Sequence, residues 1–390
     1  MRRGAWLLES RRVAQSLRRA WKWSPMMSRY RSLPLVLLAL ALAGCAPFRT
    51  STPPPSTSIQ QPQSRWVQTT FAALPGWNDD RVAQAWPALL QSCQRPAPEW
   101  TSVCADARSQ RLRTDQEVRR WFEQNLVPYS IQPLQGSSPG LLTGYYEPVL
   151  AGSRRPTAQE RYPLHAMPAD LIPGRPYWTR QQIDTLPAAQ SALRGKEIAF
   201  VANPIDAFVL HVQGSGRMVL TEHDGTKKAV RLAYAGNNGQ PYQSIGRWLI
   251  DQGELQPGQA SWPQIRAWAE SHPARINELL WVNPRYVFFR EEALPDPALG
   301  PRGAQGVPLT PGRSIAVDPR SVPYGAPVWL DSTEPLTGQP LRRVVLAQDT
   351  GSAIKGAVRA DYFWGWGPDA AAQAGRMKQP LRMWVLWPRN

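Results

Sequence analysis

Apolar residues recur at helical spacing in several segments of the chain. Two of these segments begin with a capping box, a hydroxyl residue followed three positions later by Glu or Gln: Thr114 with Glu117, and Ser261 with Gln264. Helices are therefore predicted at 77–93, 114–126, 243–252 and 261–280.

Short apolar segments broken by Gly and Pro fill most of the remaining chain, from about 140 to 235 and again after 305. In AFVLHVQGSGRMVL (207–220), Gly214-Ser215-Gly216 predicts the turn of a β-hairpin. Further strands are predicted in SIAVDP, APVWL, RRVVLAQD, ADYFW and LRMWVLW. The pattern indicates a mainly β protein with some helix, in which helical regions bracket a β insertion and lead into a β-rich C-terminal unit.

Composition agrees with a folded protein of many short elements. A chain of 390 residues can form two ordinary domains, and 42% hydrophobic residues with 18 Trp exclude a disordered chain. Its 40 Pro and 28 Gly provide frequent turns. Most of the Trp residues are expected in the core, and the surplus suits a groove that stacks on sugar rings.

The net charge of +16 divides into two equal parts. Residues 1–45 contain nine of the 45 basic and one of the 29 acidic residues, so the body of the protein carries the other +8. A moderately basic body suits an anionic polymer. Because no basic block interleaved with aromatics, zinc finger or helix-turn-helix pattern is present, nucleic acid is not expected as a partner.

Residues 28–45 (SRYRSLPLVLLALALAGC) predict a secretory signal. Its apolar run is too short to span a bilayer, and Leu42-Ala43-Gly44-Cys45 resembles a bacterial lipobox. That resemblance implies cleavage before Cys45, lipidation of Cys45 and, since Ala46 follows, an outer-membrane lipoprotein facing the periplasm. A plain secretory signal with an incidental cysteine is the alternative.

Two further features of the N-terminal region are the start of translation and a linker. Translation starting at Met26 or Met27 is an alternative to Met1, which would leave residues 1–25 outside the protein. Residues 45–64 contain the lipidated cysteine and a Pro/Ser/Thr-rich linker that cannot bury a core.

Two cysteines remain, and an oxidising periplasm favours a disulfide between Cys93 and Cys104. The four histidines show no metal-ligand spacing. We therefore expect no metal and no cofactor.

The stretch VVLAQDTGSAIKG (344–356) raises the question of what Asp349 does. An aspartic protease needs two such Asp turns, and only one is present because Asp331-Ser332-Thr333 lacks the glycine. A serine hydrolase would need G-x-S-x-G, which Gln213-Gly214-Ser215-Gly216 does not match. Taken alone, Asp349 reads best as a turn residue at a strand end.

The surrounding motifs change that interpretation. Seven motifs occur in order along the chain: LLTGYYEP (141–148), ANPIDAFVLHVQGSG (202–216), YAGNNGQPYQSIGRWLID (234–251), NPRYVFFR (283–290), AVDPRSVPYG (316–325), QDTGSAIKG (348–356) and ADYFWGWG (360–367). With these motifs the chain from about 140 to 388 resembles the MltA-type membrane-bound lytic murein transglycosylases.

The resemblance implies a double-psi β-barrel domain, a smaller inserted β-barrel domain and a substrate cleft between them. We assign residues 65–149 and 240–390 to the first domain with its helices, and residues 150–239 to the insert. The family's three aspartates correspond to Asp318, Asp349 and Asp361. The segment between the last two carries one residue more than the family's pattern.

The resemblance also implies roles for individual residues. Asp361 corresponds to the single catalytic acid, Asp349 is its partner across the site, and Asp318 has a structural role in a barrel loop. Residues expected to bind substrate are Thr143, Tyr145, Tyr146, Gln213, Ser215 and Lys355. Tyr145 or Tyr146 could equally belong to the core. Lys355 is expected to steady Asp349 or to stabilise developing negative charge, and the alternative is a solvated surface lysine.

A lytic transglycosylase cleaves the MurNAc-β-1,4-GlcNAc bond of peptidoglycan and forms 1,6-anhydromuramic acid without water. We expect a monomer that acts on peptidoglycan strands during cell-wall turnover, and association with cell-wall synthesis or hydrolysis enzymes stays open. The alternative is a lipoprotein with an expansin-like barrel that binds polysaccharide without cutting it.

Overall fold

The computed structural model describes residues 57–136 and 139–389. The predicted signal region, Cys45 and most of the predicted linker lie outside the described residues. Within them, no helix has the length and apolar character needed to cross a bilayer.

Strands and helices follow one another along the chain as follows. The strands are β1 Ser58–Gln60, β2 Ser64–Gln68, β3 Leu126–Pro133, β4 Gly140–Glu147, β5 Val149–Ser153, β6 Tyr162–His165, β7 Glu197–Val201, β8 Gly216–Thr221, β9 Lys227–Asn237, β10 Val287–Ala293, β11 Ser314–Val317, β12 Pro327–Thr333, β13 Pro340–Asp349, β14 Arg359–Trp366 and β15 Lys378–Pro388. The helices are α1 Trp86–Ser92, α2 Thr101–Ser109, α3 Asp115–Asn125, α4 Arg180–Thr185, α5 Pro187–Leu193, α6 Pro204–Gln213, α7 Ile245–Asp251, α8 Trp262–Ser271, α9 Ile276–Trp281 and α10 Gly367–Arg376. Short 3-10 turns occur at Phe71–Ala73, Trp77–Asp79, Val82–Ala85, Pro98–Trp100 and Pro273–Arg275.

The two predicted capping boxes are confirmed at the starts of α3 and α8. Thr114 Oγ1 accepts the Glu117 N–H at 3.2 Å, and the Glu117 carboxylate accepts the Thr114 N–H at 2.9 Å. The single helix predicted at 77–93 is wrong: α1 begins only at Trp86, after two 3-10 turns. Pro87 explains this start, since proline fits the first turn of a helix but disrupts its interior.

One sheet forms a nearly closed barrel. Among the described residues the sheet has nine strands in the order β1-β2-β3-β15-β12-β13-β11-β14-β4. The added pairing of β15 with β4 closes the last six of them into a ring, and β1 to β3 extend the sheet beyond β15. The five predicted C-terminal strands correspond to β11 to β15 and are confirmed. Leu142, Ile315, Ala360 and Tyr362 are fully buried in the barrel core. The prediction of a mainly β chain with a barrel domain is confirmed.

The second sheet is inserted between β4 and β11. Its order is β10-β9-β8-β5-β7-β6 in the described part of the chain, and only Pro148 separates β5 from β4. The sheet continues past the insert boundary assigned at residue 239, because β10 pairs antiparallel with β9. The helices between β9 and β10 pack with α6 in one apolar cluster. The change of composition near residue 240 therefore marks the start of these helices, and the chain returns to the barrel only after β10.

The predicted hairpin at 207–220 is wrong in its first half. Pro204–Gln213 is the helix α6, and only Gly216–Thr221 is a strand. The Asn203 side chain caps the helix by accepting the Ile205 N–H at 2.8 Å. Gly214 ends it with φ of 82°, a left-handed conformation that glycine adopts without strain.

The predicted linker is shorter than residues 45–64. Ser58–Gln60 pairs antiparallel with β2 at one edge of the barrel sheet, and Ser64 is fully buried. Strand pairing satisfies backbone groups whatever the side chains are, so a polar, apolar-poor segment can still join a sheet edge.

Several of the tryptophan residues lie in the apolar core of the barrel and the helices packed on it. Those buried in it are Trp66, Trp77, Trp86, Trp100, Trp121, Trp329 and Trp384. Nearby, a disulfide joins Cys93 after α1 to Cys104 in α2, with the Cα atoms 5.2 Å apart.

A buried ionic cluster lies where the chain passes between the two sheets. Glu147, the last residue of β4, is fully buried and accepts hydrogen bonds from Arg217 Nε at 2.7 Å and Arg231 Nε at 2.5 Å. Both guanidinium groups also donate to the carbonyl of Leu299 on the return segment. The Arg217 guanidinium lies over the ring of Trp366, the last residue of β14, at 3.5 Å. The cluster thus connects the two segments in which the chain passes between the sheets, after β4 and after β10, to the end of strand β14. We call these two segments the chain crossings.

Candidate active site

Strand register brings Asp349 and Asp361 together. The two residues lie on β13 and β14, the strands that flank β11, and each pairs with Ala316 of β11. On its other side Asp361 pairs with Thr143 of β4. Since directly paired residues present their side chains to the same face of a sheet, these residues form one row on the barrel.

Side chains alternate between the two faces of a strand, and the row that contains Asp349 and Asp361 faces away from the barrel core. Ala360 and Tyr362, on either side of Asp361, are fully buried in the barrel interior, as is Leu142 beside Thr143. Asp349 and Asp361 are half-buried. Two carboxyl groups therefore share a partly desolvated outer face of the barrel.

Asp361 is held through one of its two oxygens. Thr143 Oγ1 donates to Asp361 Oδ1 at 2.6 Å, and Arg359 Nη2 donates to Thr143 Oγ1 at 2.9 Å. Asp361 Oδ2 has no hydrogen-bond partner among the described residues. Burial raises the pKa of Asp361, and the Thr143 hydrogen bond and the Arg359 charge oppose that rise.

Asp349 is held through both oxygens. The Ala304 N–H donates to Oδ1 at 2.9 Å, and the Tyr145 hydroxyl donates to Oδ2 at 3.0 Å. Burial raises the pKa of Asp349 to about 6; the backbone N–H groups and Tyr145 oppose the rise, and the Asp361 charge adds to it. Burial and the two carboxylates also raise the pKa of Tyr145 well above its usual value, so its hydroxyl stays a donor.

Asp318 lies at the base of the loop that joins β13 to β14. The residue is 1% exposed, and its carboxylate accepts from the Gly356 N–H at 3.1 Å and from Arg320 Nη2 at 3.1 Å. Burial alone would raise the pKa of Asp318, but these hydrogen bonds outweigh it and the pKa is lowered. The carboxylate thereby anchors the loop between the other two aspartates.

Gln213 and Ser215 do not project from a hairpin, because the first predicted strand is α6. Gln213 Oε1 accepts the Tyr146 N–H at 3.0 Å and so joins the end of α6 to β4. Ser215 is buried after the helix. Tyr146 packs against the helical apolar cluster and Tyr145 against Phe363, so both tyrosines have packing roles.

Lys355 is exposed, and no ion pair among the described residues joins it to Asp349. Its role at the site stays a prediction. The partners of Asp349 are instead Tyr145 and the Ala304 N–H.

Two participants were missed from the sequence. Arg359 stands two positions before Asp361, so that both fall on one face of the same strand, and this spacing could have identified it. Ala304 contributes only its backbone N–H from a long connection, and no residue type predicts such a contact. The described residues contain no group of three His, Cys, Asp or Glu side chains that could hold a metal ion.

Comparisons with known proteins identify the family of the chain. Residues 141–290 match the family model of the MltA specific insert domain, and residues 313–387 match that of the 3D domain. Membrane-bound lytic murein transglycosylase A of Escherichia coli is 35% identical over 282 residues, which cover 70% of this chain and 73% of that protein.

Solved structures resemble the chain over most of its length. The structure of the lytic transglycosylase LtgG of Burkholderia pseudomallei is 47% identical, with a TM-score of 0.58, and the match covers 86% of this chain and 98% of that one. Escherichia coli MltA with bound chitohexaose is 27% identical, with a TM-score of 0.63, and the match covers 86% of this chain and 95% of that one. The chain therefore belongs to the MltA family of membrane-bound lytic murein transglycosylases.

Proposed function

We propose that the protein cleaves the MurNAc-β-1,4-GlcNAc bond of peptidoglycan with Asp361 as general acid and then general base. The observation that carries this assignment is the asymmetry of the two carboxyl groups. Both oxygens of Asp349 are occupied by Tyr145 and the Ala304 N–H, whereas Asp361 keeps Oδ2 without a partner among the described residues. A proton donor must reach the substrate, and Asp361 is the carboxyl group with a free oxygen.

One carboxyl group is sufficient for this reaction. Protonated Asp361 gives its proton to the glycosidic oxygen as the bond from C1 to that oxygen breaks. The O6 hydroxyl of the same muramic acid attacks C1, and the Asp361 carboxylate takes the O6 proton as the 1,6-anhydro ring closes. Because the nucleophile belongs to the substrate, its effective concentration at C1 is high and no second carboxylate is needed to activate water.

Burial supports the acid role, since a raised pKa keeps a carboxyl group protonated nearer to neutral pH. The two carboxyl groups also act on each other: the charge of Asp361 raises the pKa of Asp349, and an ionised Asp349 would likewise oppose ionisation of Asp361. Thr143 and Tyr145 hold the two carboxyl groups, and the open face beside them receives the glycan. The chitohexaose in the Escherichia coli relative supports a glycan strand as ligand.

We also propose an envelope location, with lipidated Cys45 anchoring the protein in the outer membrane. The lipobox resemblance at residues 42–45 and the membrane-bound name of the Escherichia coli relative support it.

Digestion of purified murein tests the proposed reaction. We expect muropeptides with 1,6-anhydro ends, identified by mass spectrometry, because O6 replaces water as the nucleophile. Reducing ends would instead show hydrolysis. Binding to murein without soluble products would favour a polysaccharide-binding lipoprotein.

Replacing Asp349 with Asn tests its role as a neighbouring charge. We expect a loss of activity of roughly ten- to a hundredfold rather than abolition. Losing the negative charge lowers the pKa of Asp361, so the alkaline limb of the pH dependence of kcat/KM should move to lower pH. Asp251→Asn, in an exposed pair with Arg247 on α7, is the matched control and should leave the profile unchanged. An unmoved limb in Asp349→Asn would contradict the role.

A further inference from the structure

The hydrogen bonds around Thr143 have defined directions. A guanidinium group can only donate, so Thr143 Oγ1 is the acceptor in its contact with Arg359 Nη2. The hydroxyl has one hydrogen, and Asp361 Oδ1, at 2.6 Å, is its acceptor among the described residues. Arg359 thus leaves Thr143 as a donor towards Oδ1.

The direction of the hydrogen bond from Thr143 to Oδ1 determines which carboxyl oxygen of Asp361 carries the proton. If Oδ1 carried it, that proton would point at Thr143, and the threonine hydrogen would lose its acceptor. A proton on Oδ2 leaves every one of these hydrogen bonds intact. Oδ2 is also the oxygen with no partner among the described residues and is therefore free to meet the substrate.

We propose that Arg359 is a positioning residue that, through Thr143, places the acidic proton of Asp361 on its substrate-facing oxygen. This inference rests on the proposed function of Asp361. Arg359 is itself fixed, because Nη1 donates to the carbonyl of Ala360 on the same strand. It does not touch the reacting atoms and acts only through the Thr143 hydroxyl.

The relay has a second consequence during the reaction. After giving up its proton, Asp361 must persist as a carboxylate long enough to accept one from O6. The Thr143 hydrogen bond and the Arg359 charge stabilise that carboxylate. The other charged or titratable groups around Asp361 are Asp349 from β13, Tyr145 from β4 and Lys378, which pairs with Thr143 from β15.

The experiment compares kcat and the pH profile of kcat/KM for variants that keep Asp361. Thr143→Val preserves shape but cannot donate, so we expect kcat to fall about tenfold with KM little changed. The alkaline limb should move up by about one pH unit because the carboxylate loses a stabilising donor. Thr143→Ser keeps the hydroxyl and should restore both values.

Arg359→Met should produce the same upward shift. Adding Thr143→Val to it should cost little more, since both changes break one relay. Additive losses, an unmoved limb in Thr143→Val, or failure of Thr143→Ser to restore it would overturn the inference. If Arg359→Met does not fold, the comparison of Thr143→Val with Thr143→Ser still tests the inference. Anhydro products from the wild type with an unchanged Thr143→Val profile would reject the relay while leaving the proposed function standing.

Discussion

Replacing Asp361 with Asn should lower kcat by roughly a thousandfold or more, the largest loss expected from any single change in the site. An amide has the shape of the carboxyl group and can still accept from Thr143 through its oxygen, but it has no proton to give to the glycosidic oxygen. Release of anhydromuropeptides from purified murein measures the loss. Retention of the variant on sedimented murein should be unchanged, because binding does not need the proton.

The matched comparison is Asp349→Asn, which carries the same chemical change on the other side of Ala316. Near-complete loss in Asp361→Asn with partial activity in Asp349→Asn supports the assigned roles. Full activity in Asp361→Asn together with abolition in Asp349→Asn would reverse them.

The largest expected effect on stability comes from Glu147→Gln. Glu147 is fully buried between Arg217 and Arg231, and the neutral amide would leave two buried guanidinium groups without a counter-charge. Breaking a buried ion pair by removing one partner typically costs about 3–5 kcal/mol of the free energy of unfolding. Urea denaturation of the purified protein, followed by tryptophan fluorescence, measures this loss.

The exposed pair of Arg247 with Asp251 provides the control for that experiment. It joins residues four positions apart on the surface of α7, where such pairs contribute about 0.3–0.5 kcal/mol. Asp251→Asn should therefore barely change the denaturation midpoint. Equal midpoints for Asp251→Asn and Glu147→Gln would show that the buried cluster does not hold the chain crossings.

Local signals in the sequence predict much of the fold. The capping boxes at Thr114 and Ser261 place two helix starts correctly, because a hydroxyl and a Glu or Gln three positions apart satisfy the first N–H groups wherever the helix packs. The C-terminal strands were also predictable, since apolar runs rich in β-branched residues are bounded there by turn residues.

Helix α6 shows where periodicity is insufficient. Ile205 and residues 207–211 are buried, between the second sheet and the surrounding helices. A segment buried on most sides has only a narrow polar face, so its sequence can resemble a buried strand. Asn203, Pro204 and Gly214 nevertheless mark the ends of a helix, and these boundary residues were the better signal.

The candidate site was predictable only in part for a similar reason. Family motifs identify Asp349 and Asp361 by their order in the chain, which is a property of the sequence. The partners of these residues depend on which strands become neighbours. Tyr145 reaches Asp349 across a gap of 204 positions, and Thr143 reaches Asp361 across 218. Lys355, much nearer to Asp349 in the chain, does not contact it.

The pairing of Ala316 with both aspartates also bears on how the protein tolerates insertions. The carboxyl groups are positioned by strands β13 and β14, and the intervening loop only has to close the distance between their ends. Lengthening such a loop costs little, about 0.6 kcal/mol for each doubling. A residue added between Asp349 and Asp361 would therefore be absorbed by the loop without moving either carboxyl group.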